Sequence, residues 1–331
     1  MQQELRFATF NVCNLALPGV RYYDDQEPYS AAEYDAKIAW IARQLDRLDA
    51  DVIGFQEIFS QPALLDVLAR SSKYQHAHHV CFASDGLARP TPHVALVSRF
   101  PIAPGATFHL ALPRNLSVEL PGVGDRQTGF TRPVLQARVV FSEQCAIECF
   151  VCHLKSRRPD YRNGAAEGDS DHLGIATLRS LIRRGADALG LRLLLTDCMN
   201  ATPAPLLVMG DFNDIAAAVS TQLVVRAGQT GDNGSGPRLF DSYRIQARRD
   251  PVRDVGYTHV HEGNYETVDH VLVSREFNPE SGLAIGEVSE VIYLNDHIGL
   301  QQPGASDHGM VLVRITLNDQ CVDQPAVASD I

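Results

Sequence analysis

Eight side chains stand out by type and by place: Asn11, Glu57, His153, Asp211, Asn213, Asp269, Asp307 and His308. Seven of them repeat one pattern, in which an apolar run stops and a polar group follows or precedes it at once. Asn11 comes after Phe7 to Phe10, Glu57 after Val52 to Phe55 and His153 after Phe150 to Cys152. Asp211 and Asn213 come after Leu206 to Gly210, and Asp307 and His308 stand just before Met310; Asp269 is expected inside its strand. One polar strand end is commonplace, because strand ends need caps and turns. Several together are another matter, since strands of one sheet project their end residues into a common cleft. Clustered Asp, Glu and Asn oxygens suit Mg²⁺ or Mn²⁺, and His153 and His308 add groups that move protons near neutral pH. These residue types are consistent with attack of water on a phosphate ester. The ester is anionic and repels hydroxide, so it needs positive charge on its non-bridging oxygens and a water fixed in line. A metal ion supplies the first and Asp211 the second. Arg99, Lys155 and Arg132 are candidate cations for the substrate, against the ordinary reading of such side chains as solvated.

The elements that must position these groups are legible in outline. Ser30 and Glu33 form a capping box, and Ile38, Ile41, Leu45 and Leu48 continue at helical spacing to Asp49. The buried strand Asp51 to Glu57 follows. Val94 to Ser98, Val134 to Phe141, Ile147 to His153, Leu206 to Met209, Val268 to Ser274 and Met310 to Ile315 read as further strands. A long helix capped by Asp171 is expected to bury Ile175, Leu178, Ile182, Ala186, Leu189 and Leu193 on one face, with Arg183 and Arg184 outward. Asp160 to Gly168 and Ala227 to Pro237 read as loops. Hairpin-like neighbours beside helix-linked ones imply mixed sheets packed face to face with helices outside. Residues 1–317 are expected to form one domain and residues 318–331 a polar, disordered tail.

Phe10-Asn11, Gln56-Glu57, His153-Leu154-Lys155-Ser156, Gly210-Asp211-Phe212-Asn213-Asp214, Val268-Asp269-His270 and Ser306-Asp307-His308 occur in this order. Together they resemble the endonuclease/exonuclease/phosphatase superfamily, as does Ser98-Arg99-Phe100-Pro101-Ile102, over about residues 5–316. The resemblance implies an α/β fold, a four-layer α/β/β/α sandwich of two mixed β-sheets face to face with outer helices. It implies that Glu57, supported by Asn11 and Asp307, holds the divalent ion, and that Asp211 and Asn213 align water and phosphate, with Asp211 as base. Asp269 would orient His308, the donor to the phosphoryl oxygens, and His153 would contact the phosphate or leaving group. Without any family, an unpaired Asp269 inside a strand would be costly, and a histidine partner resolves that cost. The Gly210 to Asp214 turn is not a calcium loop, because its sixth position is Ala216.

Bulk properties narrow the partners. The formal charge of −11 argues against general attraction to polyanions, though not against a local basic groove. The seven cysteines lack zinc-site spacing and read as buried thiols, with Cys149 and Cys152 on opposite faces of one strand. No signal peptide and no membrane-length apolar stretch is seen, so a cytoplasmic monomer acting on a phosphate-ester substrate is expected, without membrane insertion. The first reading is hydrolysis of a phosphodiester, as by a nuclease, and the alternative is a small phosphorylated metabolite or lipid headgroup. An inactive binding module on the same scaffold is a third reading. Loop residues Arg21, Tyr22, Tyr23, Arg114, Arg126 and Arg132 are the substrate-contact candidates. His270, the His76/His78/His79 group and the pair His259 and His261 read as structural or half-exposed, and Asp169, Asp171 and His172 as a helix cap.

Overall fold

The computed structural model describes residues 3–82, 90–162, 169–201, 204–225, 238–248, 256–300, 302 and 304–318. The expected loop at 227–237, residues 163–168 of the other expected loop, and the tail beyond 318 with Cys321 lie outside the described residues.

The first half of the chain forms β1 (Glu4–Leu15), α1 (Ala31–Leu48), β2 (Val52–Ile58), α2 (Gln61–Arg70), β3 (His78–Cys81), β4 (His93–Ser98), β5 (Thr107–Ala111), β6 (Val118–Leu120), β7 (Asp125–Gln127), β8 (Gly129–Val140) and β9 (Ala146–His153). The second half forms α3 (Ser170–Ala201), β10 (Leu206–Asp211), α4 (Val219–Val225), β11 (Leu239–Asp241), α5 (Ser242–Ile245), β12 (His259–His261), β13 (Asn264–Glu266), β14 (Asp269–Ser274), β15 (Gly286–Leu294) and β16 (Met310–Leu317). One six-stranded sheet runs β15-β16-β1-β2-β4-β3 and the other β11-β14-β10-β9-β8-β5. Leu5, Phe7 and Val52 meet Val151, Leu207 and Met209 between the sheets. The alternate residues of β1, Ala8, Phe10 and Val12, face α1 and α2, while Phe150 and Val208 of the second sheet face α3 and α4. Strands buried on both faces explain the nearly continuous apolar runs in the sequence. The expected four-layer α/β sandwich is what the chain forms.

Strand direction gathers the polar ends at one rim. β1 and β2 are parallel, as are β9 and β10, so Asn11, Glu57, His153 and Asp211 all come at the same end. β14 and β16 run antiparallel to their neighbours, so the same rim receives their beginnings. Asp269 is the first residue of β14 and pairs with Asp211, which corrects its expected place inside the strand.

Two glycines let the layers close. A Cβ on Gly54 would lie 2.6 Å from Met209 Cγ of the opposite sheet, and one on Gly210 would lie 2.0 Å from the Cys152 carbonyl oxygen. The strand that ends in Asp211 therefore tolerates no side chain one residue before it.

The long helix departs from expectation. Ile175 and Leu178 are exposed and Ile182, Leu189 and Leu193 half-buried; Ala186 is buried as expected, and the inward face otherwise consists of Ala176, Arg179, Ser180, Arg184, Asp187, Ala188, Gly190, Leu191, Arg192 and Leu195. The physical reason is what lies beneath: Arg179 donates to the Pro121 and Asp160 carbonyls, Ser180 to the Arg158 carbonyl, and Arg184 to Asp214. Loop carbonyls and carboxylates call for donors where a core would call for leucines. Arg184 is accordingly buried rather than outward, and the cap is Asp169, whose carboxylate accepts the Asp171 N–H. Cys149 and Cys152 do face opposite ways, into the inter-sheet core and under α3. Among the described residues no helix is long and apolar enough to cross a membrane.

Gly210→Ala should destabilise the fold by about 3 kcal/mol or more, because neither the carbonyl nor the strand behind it has room to move. Urea denaturation measures it; a loss below about 1 kcal/mol would contradict the packing described.

Candidate active site

The rim opens into a cleft of about 840 Å³ that contains seven of the eight residues picked from the sequence on its walls or directly beneath: Glu57, His153, Asp211, Asn213, Asp307 and His308 line it, and Asn11 lies under them. Asp269 is held behind His308.

Asp211 is the hub. Its Oδ2 accepts from Asn11 Nδ2 at 3.0 Å and lies 3.3 Å from His153 Nε2 and 3.8 Å from His308 Nε2, while its Oδ1 accepts the Asn213 N–H at 2.7 Å. Burial first, and the Asp269 carboxylate second, push its pKa up to about 7. His308 answers both acids. Its Nδ1 sits 2.8 Å from Asp269 Oδ2, and although burial pulls the imidazole down, Asp269 and Asp211 carry its pKa well above the ordinary histidine value. It is held as the imidazolium, with Nε2 toward Asp211 and the cleft. His153 is the opposite case: burial, and then the nearby Arg132 and His308 charges, push its pKa well down, so it is neutral.

Local backbone fixes these positions. Cys13, Asn14, Glu57 and Asn213 all have left-handed φ, between 52° and 64°, which turns the chain sharply at the strand ends. Glu57 Oε2 accepts the Asn14 N–H at 2.9 Å, and Ser306 Oγ bridges from the Asn11 carbonyl to the His308 N–H. Asn11 presents its amide nitrogen to both Glu57 and Asp211 and its oxygen to the Cys13 N–H. It thus ties two carboxylates together rather than offering an oxygen to an ion, a departure from its expected place among the metal ligands.

The donor chemistry fits a hard cation. Glu57, Asp211 and Asp307 converge on the cleft beside one imidazolium, and the Asn14 Oδ1 next to Glu57 is buried without a partner. Acid and imidazole ligand atoms come within 4.8 Å of one another in two triplets among the described residues, Asp211–Asp269–His308 and His259–Asp307–His308, and Glu57 belongs to neither.

The candidate cations divide. Arg132 reaches the cleft, where it donates to the Leu154 carbonyl at 3.0 Å and bonds the Tyr23 hydroxyl. Lys155 also lines it, with its amine on the Ser156 and Arg158 carbonyl oxygens and its pKa lowered by burial to about 8. Arg99 does not reach it. It follows the β4 residue that pairs with Val52, at the far end of β2, where it stacks on Tyr74 and binds Asp49 at 2.6 Å. Arg21, Arg114 and Arg126 are likewise engaged away from the cleft, with Glu27, Asp197 and Glu119, and Tyr22 stacks on Tyr29. His270 is structural as expected, bonded to the Asp214 carbonyl.

Asp187 escapes sequence reading, and His259, expected only as a half-exposed side chain, lines the cleft. Asp187, on α3, accepts from Thr131 N, Lys155 N and Gln127 and so anchors two cleft segments; its signal is a lone acid in the run Gly185-Ala186-Asp187-Ala188. His259 lies against His308 with ring centres 4.9 Å apart. Its only signal is the alternation with His261, which any half-exposed strand would show.

The chain belongs to the endonuclease/exonuclease/phosphatase family, whose profile matches residues 8–308. No curated protein sequence matches it. Among solved structures it is similar to a family protein from Bacteroides thetaiotaomicron, at 16% identity with 97% of each chain covered and a TM-score of 0.59. A mannosyl-6-phosphatase from the same organism matches at 18% identity, covering 94% of this chain and 99% of that one, TM-score 0.59. The catalytic domain of human Nocturnin, solved with bound sulfate, matches at 15% identity over 96% and 98%, TM-score 0.56. At these identities the likeness shows the fold. Members of the family are hydrolases acting on phosphoesters.

Asp269→Asn should lower the His308 pKa, because it removes the nearer of the two charges that hold the proton there. Titration of the imidazole by NMR reads this directly; an unmoved pKa would deny the pairing. Arg99→Ala should leave phosphoester turnover within about twofold of the parent, since its ion pairs and its stacking on Tyr74 lie at the distant rim.

Proposed function

We propose that the protein is a divalent-metal-dependent phosphoric ester hydrolase in which Asp211 is the base. The observation that carries this is one buried carboxylate, Asp211, wedged between His153 Nε2 at 3.3 Å and His308 Nε2 at 3.8 Å in the wall of an acidic cleft, where burial pushes its pKa up to about 7. A bound Mg²⁺ or Mn²⁺, held by Glu57 and Asp307, would supply positive charge to the phosphate oxygens and leaving group. Asp211 takes the proton from the water and Asn213, fixed by its bond to the Leu154 carbonyl, helps align the phosphate. His308 donates from Nε2 to a phosphoryl oxygen as negative charge builds there, and Asp269 keeps that ring turned and charged. His153 contacts the phosphate or leaving group from the other side of Asp211. Asn11 holds Glu57 and Asp211 at a fixed separation.

For the substrate, the cleft favours a small phosphorylated molecule over a long nucleic acid. Arg157 is taken up by Asp214 and Glu266, and Arg158 by Asp25. Arg132 and Lys155 meet neutral oxygens and are the cations we assign to the phosphate. Tight duplex binding neutralises about 6–10 phosphates, far more than these two cations serve. The cleft volume falls within the range of small-molecule sites. A cytoplasmic monomer is the arrangement we propose.

Asp211→Asn and His308→Gln should each lower kcat by about 10²–10⁴ on a small phosphate ester, and chelation should abolish turnover. Because the base acts when unprotonated, kcat/KM should fall about tenfold per pH unit below pH 7, the value burial gives Asp211. Assays on p-nitrophenyl phosphate, its bis ester and plasmid DNA, with chelator controls, test both parts. Plasmid cleavage at rates matching the small esters would defeat the size argument, and full activity of Asp211→Asn would defeat the mechanism.

A further inference from the structure

The hairpin of β12 and β13 carries a histidine that the mechanism above leaves unused. His259 forms an antiparallel backbone bridge with His308, and the Gly309 N–H donates to the Thr258 carbonyl at 2.7 Å. Thr258 Oγ1 in turn accepts the Val268 and Asp269 N–H groups, at 3.0 Å and 3.1 Å, so the base of the hairpin is fastened to both strands that bring in the site. This fixes the His259 ring over His308, with centres 4.9 Å apart and planes at 39°. Ligand atoms of His259, Asp307 and His308 lie within 4.8 Å of one another.

We propose that His259 joins Asp307 as a nitrogen ligand of the divalent cation, and that the site therefore selects a first-row transition ion over Mg²⁺. The proposal rests on the metal-site reading given under Proposed function and deepens it. His308 is committed elsewhere: its Nδ1 is bound to Asp269 and its Nε2 faces Asp211 at 3.8 Å. His259 is half-buried on the cleft wall, with a ring nitrogen within 4.8 Å of an Asp307 carboxylate oxygen. Mg²⁺ prefers oxygen and keeps its waters, whereas imidazole suits ions that stand higher in the transition series, Mn²⁺ being the mildest case. Glu57 and Asp307 alone would supply only oxygens, which bind both ions. The nitrogen is what discriminates.

Mn²⁺ and Mg²⁺ binding to the full chain, by EPR of free Mn²⁺ and by calorimetry, provides the test, with His259→Phe keeping the ring packing and removing the nitrogen. Mn²⁺ affinity should fall by at least about tenfold in His259→Phe, while Mg²⁺ affinity stays within about threefold. Pulsed EPR of the parent Mn²⁺ complex should show coupling to a directly bound ¹⁴N, which His259→Phe removes; this readout on the parent does not depend on the variant's folding. Absence of ¹⁴N coupling, or unchanged Mn²⁺ affinity in His259→Phe while Glu57→Gln weakens both ions, would overturn the proposal and leave the metal site standing. Failure of the parent to bind either ion would overturn both.

Discussion

Asp211 and Asp269 are direct neighbours across two paired strands, and both are almost wholly excluded from water. Two buried carboxylates side by side repel each other, and each is costly unless paired. The His308 imidazolium, 2.8 Å from one and 3.8 Å from the other, is what makes the arrangement tolerable. Burial and Asp269 raise the Asp211 pKa to about 7 against the pull of His308, and the same two acids hold the His308 proton.

The fold exists around that contact in a geometric sense. Parallel β1 and β2, and parallel β9 and β10, deliver four strand ends to one rim, and antiparallel β14 and β16 deliver two beginnings. Gly54 and Gly210 bring the two sheets and the two strands close enough for Asn11 to span from Glu57 to Asp211, residues separated in sequence by more than a hundred positions. Beneath the rim, Asp214 accepts from Arg157, Arg184 and Ser220 and holds the turn after Asp211 against α3. The polar inner face of that helix serves this clamp.

Much of this was legible in the sequence because burial on both faces makes a strand nearly continuous in apolar residues, and its polar end then shows as an abrupt change. Glu57, His153, Asp211 and Asp307 were found that way, and the sandwich follows from the mixture of strands and helices. The long helix was misread because its apolar stripe, Ile175 and Leu178, is a valid helical period that faces water; which face is inward depends on the loops it covers. Arg99 sits in a family-like segment, yet strand direction sends it to the opposite rim. The place of His259 in the cleft was missed, since a backbone bridge between 259 and 308 leaves no local trace. Asn11 was found but its amide faces two carboxylates, an orientation that composition does not encode.

In the mechanism we propose, water attacks from the Asp211 side of a phosphate whose oxygens face His308. A crystal structure with Mn²⁺ and orthovanadate, an analogue of the five-coordinate phosphorus, would test this. An apical vanadate oxygen is expected within about 3 Å of Asp211, an equatorial oxygen within about 3 Å of His308 Nε2, and the ion on Glu57 and Asp307. Vanadate bound with Asp211 and His308 out of reach, or an ion that avoids Glu57, would contradict it.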